Sequence, residues 1–371
     1  MANPDQLTLL AAQPSDAKRR KTHGRATLAD VARHAGVTAM TVSRTLREPG
    51  RVSAETSQRV HMALEATGYA PNKSAGLLAC GRSRIVAALV PNIANSIFAE
   101  TIQGLSDALQ ADGLELLLTA TGYSLEREEH QIRAVLGWAP AALIVTGRHH
   151  TPAALQMMRR AQVDSVPVIE IWDNSPGSSE FIQVGFNHTK AGWAMFTHLQ
   201  QCGYTDLVYV DSGVVGDLRA HERRHGFVAA ATKAGSRVRV VTAPQEEPMA
   251  AGRRVMERLL DESDLPHAVA FSNDHFAAGA ILEAQAKGTQ IPDKLGVMGF
   301  GDMTIAGQIG ISTLAVPRYG IGFTTGTRVV ARIAVQAVNP TLQAPAAVQR
   351  LPGDSVALQL VKRNSTRSVQ A

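Results

Sequence analysis

The chain has 371 residues, 45% of them hydrophobic and 19% charged. That is too long for one ordinary core, gives a prior of two or three domains, and excludes wholesale disorder. Charge is uneven: residues 1–84 carry 13 Lys/Arg against 6 Asp/Glu, the remainder 24 against 26. A basic head on a near-neutral body suits a polyanionic partner at one end, because neutralised phosphates supply most nonspecific DNA affinity. Charge alone does not separate DNA from an anionic membrane surface. Cys80 and Cys202 lie far apart without CxxC or Cys/His metal spacing, which argues against a disulfide framework or zinc finger and for the cytoplasm. No basic residue precedes the short apolar stretch at the N-terminus and no apolar run approaches the ~20 residues of a membrane span, so neither a signal peptide nor a membrane partner is expected.

In chain order, residues 1–25 are predicted to be a disordered tail ending in the basic cluster Lys18, Arg19, Arg20 and Lys21. From Thr27 to Tyr69 the apolar periodicity predicts three short amphipathic helices, over about 28–35, 39–47 and 54–66. Thr27, with Asp30 three residues on, reads as an N-cap of capping-box type. Leu28, Val31, Ala32 and Ala35 form the buried stripe of the first helix, and Val37, Val42 and Leu46 carry the core into the second. Gly36 sits between them, where a sharp turn needs positive φ. Thr38, Ala39, Met40, Thr41 and Arg44 are left on or near the outer face at the start of the second helix, where a recognition helix meets the major groove. An ordinary helical hairpin is the alternative, and the basic surroundings weigh against it.

From Ile85 onward strand-like apolar runs alternate with helical stretches, at 85–91, 114–121, 141–147, 167–173, 206–212, 237–241, 268–274 and 294–302. Continuous apolar strands separated by helices predict parallel sheets covered on both faces. Their number predicts two doubly wound lobes with a binding cleft at the C-terminal strand ends. The expected fold class is α/β, with an N-terminal helix-turn-helix head.

ATLADVARHAGVTAMTVSRTL, followed by VSAETSQRVHMALEATGYAPNKSAGLLACGRS, resembles the DNA-binding head of the lactose/galactose repressor family. LVPNIANSIFAE, GFNHTKAGWAMFTHL, HERRHGF, SNDHFAAGA, VMGFGD and LVKRNS follow at matching intervals, so the resemblance covers about residues 26–365. It implies a head over 26–71, a hinge helix and linker over 72–84, and a two-lobed periplasmic-binding-protein-like core over 85–371. The N-lobe would take about 85–185 and 319–343, the C-lobe about 186–318 and 344–371. It also implies a homodimer whose heads occupy the half-sites of a pseudo-palindromic double-stranded DNA operator. Ala39, Met40 and Arg44 fall at base-reading positions, and Thr27, Thr38, Thr41 and Ser43 complete the contacts of the head. In the hinge, Asn72 and Ala79 would contact DNA, and Leu78 would wedge into the minor groove and unstack a base step. The alternative for Leu78 is one turn of an ordinary linker helix. No heptads follow Val361, so no tetramerisation coil is expected.

Short strings at 149–152, 170–173, 184–187 and 299–302 are similar to those of gluconate-type repressors. The effector set this resemblance implies is Ser96, Phe98, His149, His150, Trp172, Asn187, Arg223, Asn273, Asp274, Gly301 and Asp302. Sugar-binding members of the family often carry an Asp where this chain has Gly301. Removing a carboxylate from a pocket that keeps Arg223 favours an anion, so a sugar acid such as gluconate or 2-ketogluconate is expected. The alternative is that Gly301 only eases a turn and Asp302 binds. His221, Glu222 and His225 also fit the zinc signature H-E-x-x-H. The repressor pattern places Arg223 inside that segment and spacing identifies no third ligand, so no metal, cofactor or catalytic residue is expected. A zinc hydrolase and a solute-binding receptor of the same core fold are the rival readings.

Overall fold

Helical periodicity in the first part of the chain and strand-helix alternation in the second become two separate units, divided after residue 79. The computed structural model describes residues 26–70, 83–93, 96–338 and 354–368. The basic tail and the hinge residues Asn72, Leu78 and Ala79 lie outside the described residues.

In the head, α1 (Leu28–Ala35), α2 (Ala39–Arg47) and α3 (Ala54–Thr67) follow one another, with a 3₁₀ turn at Pro49–Arg51. Thr27 caps α1: its Oγ1 accepts from the Asp30 amide at 3.3 Å, and Asp30 Oδ2 accepts from the Thr27 amide at 2.9 Å. The bonds from Thr27, aided by Arg33, hold the Asp30 carboxyl below its ordinary range. Gly36 ends α1 at φ +64°, a left-handed conformation that costs glycine nothing. Val31, Ala32, Ala35, Val42, Val60 and Ala63 are buried together, with Leu28, Val37, Leu46, Leu64 and Tyr69 packed against them.

The core holds two sheets. The first runs through β1 (Ile85–Val90), α4 (Ser96–Gln110), β2 (Glu115–Ala120), α5 (Leu125–Leu136), β3 (Ala142–Thr146), α6 (Pro152–Val163), β4 (Val168–Ile171) and β5 (Ile182–Gly185). The second runs through α7 (His188–Gln201), β6 (Asp206–Asp211), α8 (Leu218–Lys233), β7 (Arg237–Thr242), α9 (Pro248–Leu260), β8 (Ala268–Phe271), α10 (Asp274–Ala286), β9 (Gly296–Gly301), α11 (Thr304–Ile309) and β10 (Ser312–Ala315). The chain then returns as α12 (Arg318–Val338), which packs on α4 of the first lobe, and ends in β11 (Asp354–Ser355) and β12 (Gln359–Val361). Strand orders are β11-β5-β4-β3-β1-β2 and β12-β10-β9-β8-β6-β7, parallel except for the β10–β12 pair. The order reverses beside β1 in one sheet and beside β6 in the other, and ligands of open α/β sheets bind outside the strand ends at such points.

Two expectations are corrected. Asp354 and Ser355 pair with Val184 and Gly185, so part of the segment assigned to the C-lobe closes the edge of the first sheet. Besides the short β11 and β12, strands β5 and β10 are additions to the expected eight. Each is only four residues long and buries polar side chains (Gln183 in one, Ser312 and Thr313 in the other), so neither shows a continuous apolar run. Among the described residues no helix is long and apolar enough to cross a membrane.

Candidate functional site

In the head, Thr38 caps α2, its Oγ1 accepting from the Thr41 amide at 3.1 Å. Val42 points into the core, whereas Ala39, Met40 and Arg44 are exposed, Met40 at 68%. Thr41 and Ser43 on the same helix, and Thr27 at the start of α1, are half-buried. A capped helix with a fixed inner stripe presents its outer residues at constant angles, as major-groove reading requires.

In the core, the two lobes enclose a cleft of about 270 Å³ at the C-terminal ends of their strands. The first lobe contributes Asn92, Ile97, Phe98, Tyr123 and Trp172, and the second contributes His188, Ser212, Asp217, Arg219, Arg223, Gln245, Ser272, Asn273, Phe276 and Phe300 among others. Asp217 caps α8 by accepting from the Ala220 amide, which sets Arg219 and Arg223, one turn apart, on the face that meets the cleft.

Arg223 is 6% exposed. Its Nη1 donates to His188 Nδ1 at 3.0 Å, its Nη2 to the Ser272 carbonyl at 3.3 Å, and its guanidinium lies 4.1 Å from the centre of the Phe300 ring. His188 Nε2 donates to the Trp172 carbonyl at 2.7 Å, so the proton sits on Nε2 and Nδ1 keeps the lone pair that Arg223 needs. Burial, with Arg223 and Arg219 beside it, pushes the His188 pKa well below the usual histidine range and keeps the ring neutral. Trp172 occupies φ +65°, rare for an aromatic residue. It is held there by Nε1 donating to Thr101 Oγ1 at 3.1 Å and by edge contacts to Phe98 and Phe186. Arg219 is 8% exposed, lies 5.8 Å from the Phe98 ring centre, and forms a long ion pair of 3.7 Å with Asp217.

Of the expected effector residues, Phe98, Trp172, Arg223 and Asn273 meet in this cleft. Ser96 begins α4. Asn187 instead caps α7 and donates to Ser175 Oγ. Asp274 accepts from the Met303 amide and the Thr313 hydroxyl, both at 2.7 Å, and burial pushes its carboxyl up to about 6 against those bonds. Asp302 pairs with Arg363 at 2.7 Å. Gly301 sits at φ +118° with its carbonyl accepting from Arg318, so its glycine has a backbone reason independent of any ligand. His149 bonds Glu222 at 2.8 Å beside a smaller recess of about 40 Å³, and His150 is buried between Glu128 and Glu170. Arg219, His188, Tyr123 and Gln245 line the cleft without having been expected there. Arg219 was findable, four residues before Arg223 on one helix, whereas His188 carries no sequence signal because its role lies in tertiary contacts. In the H-E-x-x-H segment, Glu222 is held by Arg148 and His149, and among the described residues no cluster of three His, Cys, Asp or Glu is arranged to hold a metal ion.

A helix-turn-helix head followed by a two-lobed α/β core with a ligand-sized cleft defines a class, the ligand-responsive transcriptional regulators. The chain belongs to the LacI family. Residues 27–72 match the model of bacterial regulatory proteins of the lacI family, and residues 83–349 that of periplasmic binding proteins and the sugar binding domain of the LacI family. It is 35% identical to the HTH-type transcriptional regulator GntR of Pseudomonas aeruginosa, over 85% of this chain and 92% of that protein. It is 32% identical to GntR of Escherichia coli K12, over 86% and 95%. A LacI family regulator of Silicibacter pomeroyi superposes with a TM-score of 0.80 at 30% identity, covering 92% of this chain and all of that one. The lac repressor dimer bound to operator shares the fold at a TM-score of 0.75 and 21% identity, over 93% of this chain and all of that one. The chain is a transcriptional repressor of this family.

Proposed function

We propose that the protein acts in the cytoplasm as a homodimer, with its two heads on the half-sites of a pseudo-palindromic operator, and that a sugar acid of gluconate type in the cleft releases it. Ala39, Met40 and Arg44 are the base-reading residues of each head. Asn72, Leu78 and Ala79 belong to the hinge between head and core, which contacts DNA at the operator centre.

The observation that carries the effector class is the state of Arg223. It is a nearly fully buried cation surrounded by a neutral histidine, a carbonyl, the Tyr209 hydroxyl and an aromatic face, none of them an anion. Among the described residues it forms no ion pair. A buried guanidinium without a counter-charge is costly, and a ligand carboxylate accepting from its fork relieves that cost. Arg219 stands one turn away to share the negative charge, and Phe98, Trp172, Phe276 and Phe300 supply faces for the carbon skeleton.

The test is calorimetric titration of the full chain with gluconate, 2-ketogluconate, glucose and galactose side by side, followed by gel shifts on its operator. The acids are expected to bind and to weaken operator affinity by about 1–3 kcal/mol per site, and the neutral sugars to do neither. Arg223→Ala should abolish the response while leaving ligand-free operator binding intact. Tighter binding of a neutral sugar, or an Arg223→Ala protein still released by a sugar acid, overturns the reading.

A further inference from the structure

Glu222 lies on α8 between the two cleft arginines, yet it does not line the cleft; its carboxylate is taken by the other lobe. Oε1 accepts from Arg148 Nη2 and lies 2.8 Å from His149 Nε2, and both residues follow directly after β3 in the first sheet. This Arg148–His149–His150 tripeptide is anchored in its own lobe from behind. Arg148 Nε stands 3.2 Å from Asp173, whose side chain is wholly buried, and the buried His150 ring lies 2.5 Å from Glu128 and 3.5 Å from Glu170. Arg148 and His149 therefore form a stiff prong that reaches from one lobe to a single carboxylate on the other.

We propose that Glu222 is a positioning residue for effector binding: by docking α8 onto this prong it holds Arg219 and Arg223 against the first-lobe wall of Phe98 and Trp172. Two features of the geometry separate this role from direct ligand contact. The polar contacts that shape Arg223, from His188 and Ser272, both come from the second lobe and do not involve Glu222. Arg219, by contrast, meets Phe98 across the lobe boundary on the same stretch of α8 that Glu222 docks. Removing the Glu222 charge thus leaves the arginine pocket assembled but frees the lobes to part, and an effector that needs both walls binds more weakly.

The proposal rests on the sugar-acid reading for its ligand, gluconate, and its test includes a measurement that needs no ligand. Glu222→Gln keeps the shape of the side chain and removes its charge. Arg148 is left unaltered because its loss would strand the buried Asp173. In the ligand-free full chain, hydrogen exchange is expected to quicken in Glu222→Gln over residues 147–150 and the first half of α8, with the head unchanged. Gluconate affinity should fall about tenfold, and the gluconate concentration that releases operator should rise by the same factor. His149→Gln, at a half-exposed position, should reproduce part of both effects, and the double variant should cost no more than Glu222→Gln alone, since the two act through one contact. Unchanged exchange in Glu222→Gln, or full additivity of the two substitutions, overturns the proposal. Wild-type protein that ignores gluconate overturns the effector reading instead, and the exchange comparison still decides the prong.

Discussion

Gly301 holds φ +118° while its carbonyl accepts from Arg318, and a Cβ built there would stand 3.7 Å from Asp274 Oδ2. Replacing it with Asp therefore does two things, straining the backbone by about 1–3 kcal/mol and adding a carboxyl beside one already pushed up to about 6. Gly301→Asp and Gly301→Ala should both lower the unfolding midpoint of the ligand-free protein, with Asp the worse of the two. A Gly301→Ala protein as stable as wild type would refute the backbone account. The family pattern points to Arg223, and the phase of its helix places that side chain in the cleft. It says nothing of φ at residue 301, nor that Asp274 accepts from Thr313, Asp302 pairs with Arg363 and Asn187 caps a helix. Those roles depend on partners such as Thr313, Arg363 and Ser175, far away in sequence.

At the scale of elements, legibility follows how local the signals are. The helices of the head announce themselves through caps and a 3.6-residue stripe, and the left-handed Gly36 marks the turn between two of them. Strands β5 and β10, whose burial comes from their neighbours in the sheet, do not. The orientation of α2 has a measurable consequence. Arg33 is engaged with Asp30 at 3.1 Å and Arg51 with Glu48 at 3.0 Å, whereas Arg44 lies exposed on the outer face with Met40. A guanidinium can bond a guanine edge in two places, as neither Ala39 nor Met40 can. Arg44→Ala should cost about 1–3 kcal/mol at the cognate operator and relax the preference at one base pair, read by gel shift on a panel of single-base variants. An equal loss on random DNA would make Arg44 a phosphate contact.

For the molecule as a whole, the alternation of strands and helices discloses two lobes but not the returns of the chain between them. Those returns put β11 in the first sheet and β12 in the second, only a few residues apart. Sequence also leaves hidden the buried charges that brace the first lobe, and these set how the stability of the core follows pH. Burial alone would lower the His150 pKa, but the bonds and charges of Glu128 and Glu170 outweigh it and raise the ring from 6.5 to about 9. The folded-state value therefore lies above the unfolded one. The imidazolium's contribution is fully present below about pH 6.5 and is lost as pH rises through about 9. Asp173 acts in a lower window: burial raises it from 3.8 to about 6 despite Arg148, so its contribution is fully present below 3.8 and lost as pH rises through about 6. Chemical denaturation between pH 6.5 and 9 should show core stability falling by on the order of 2 kcal/mol. His150→Gln should be less stable at pH 6 and nearly flat across that interval, because Glu128 and Glu170 then have no cation to lose, while the slope below pH 6 persists. A His150→Gln protein that keeps the wild-type slope above pH 6.5 would place the titrating group elsewhere and remove the buried imidazolium from the account of how the first lobe is held.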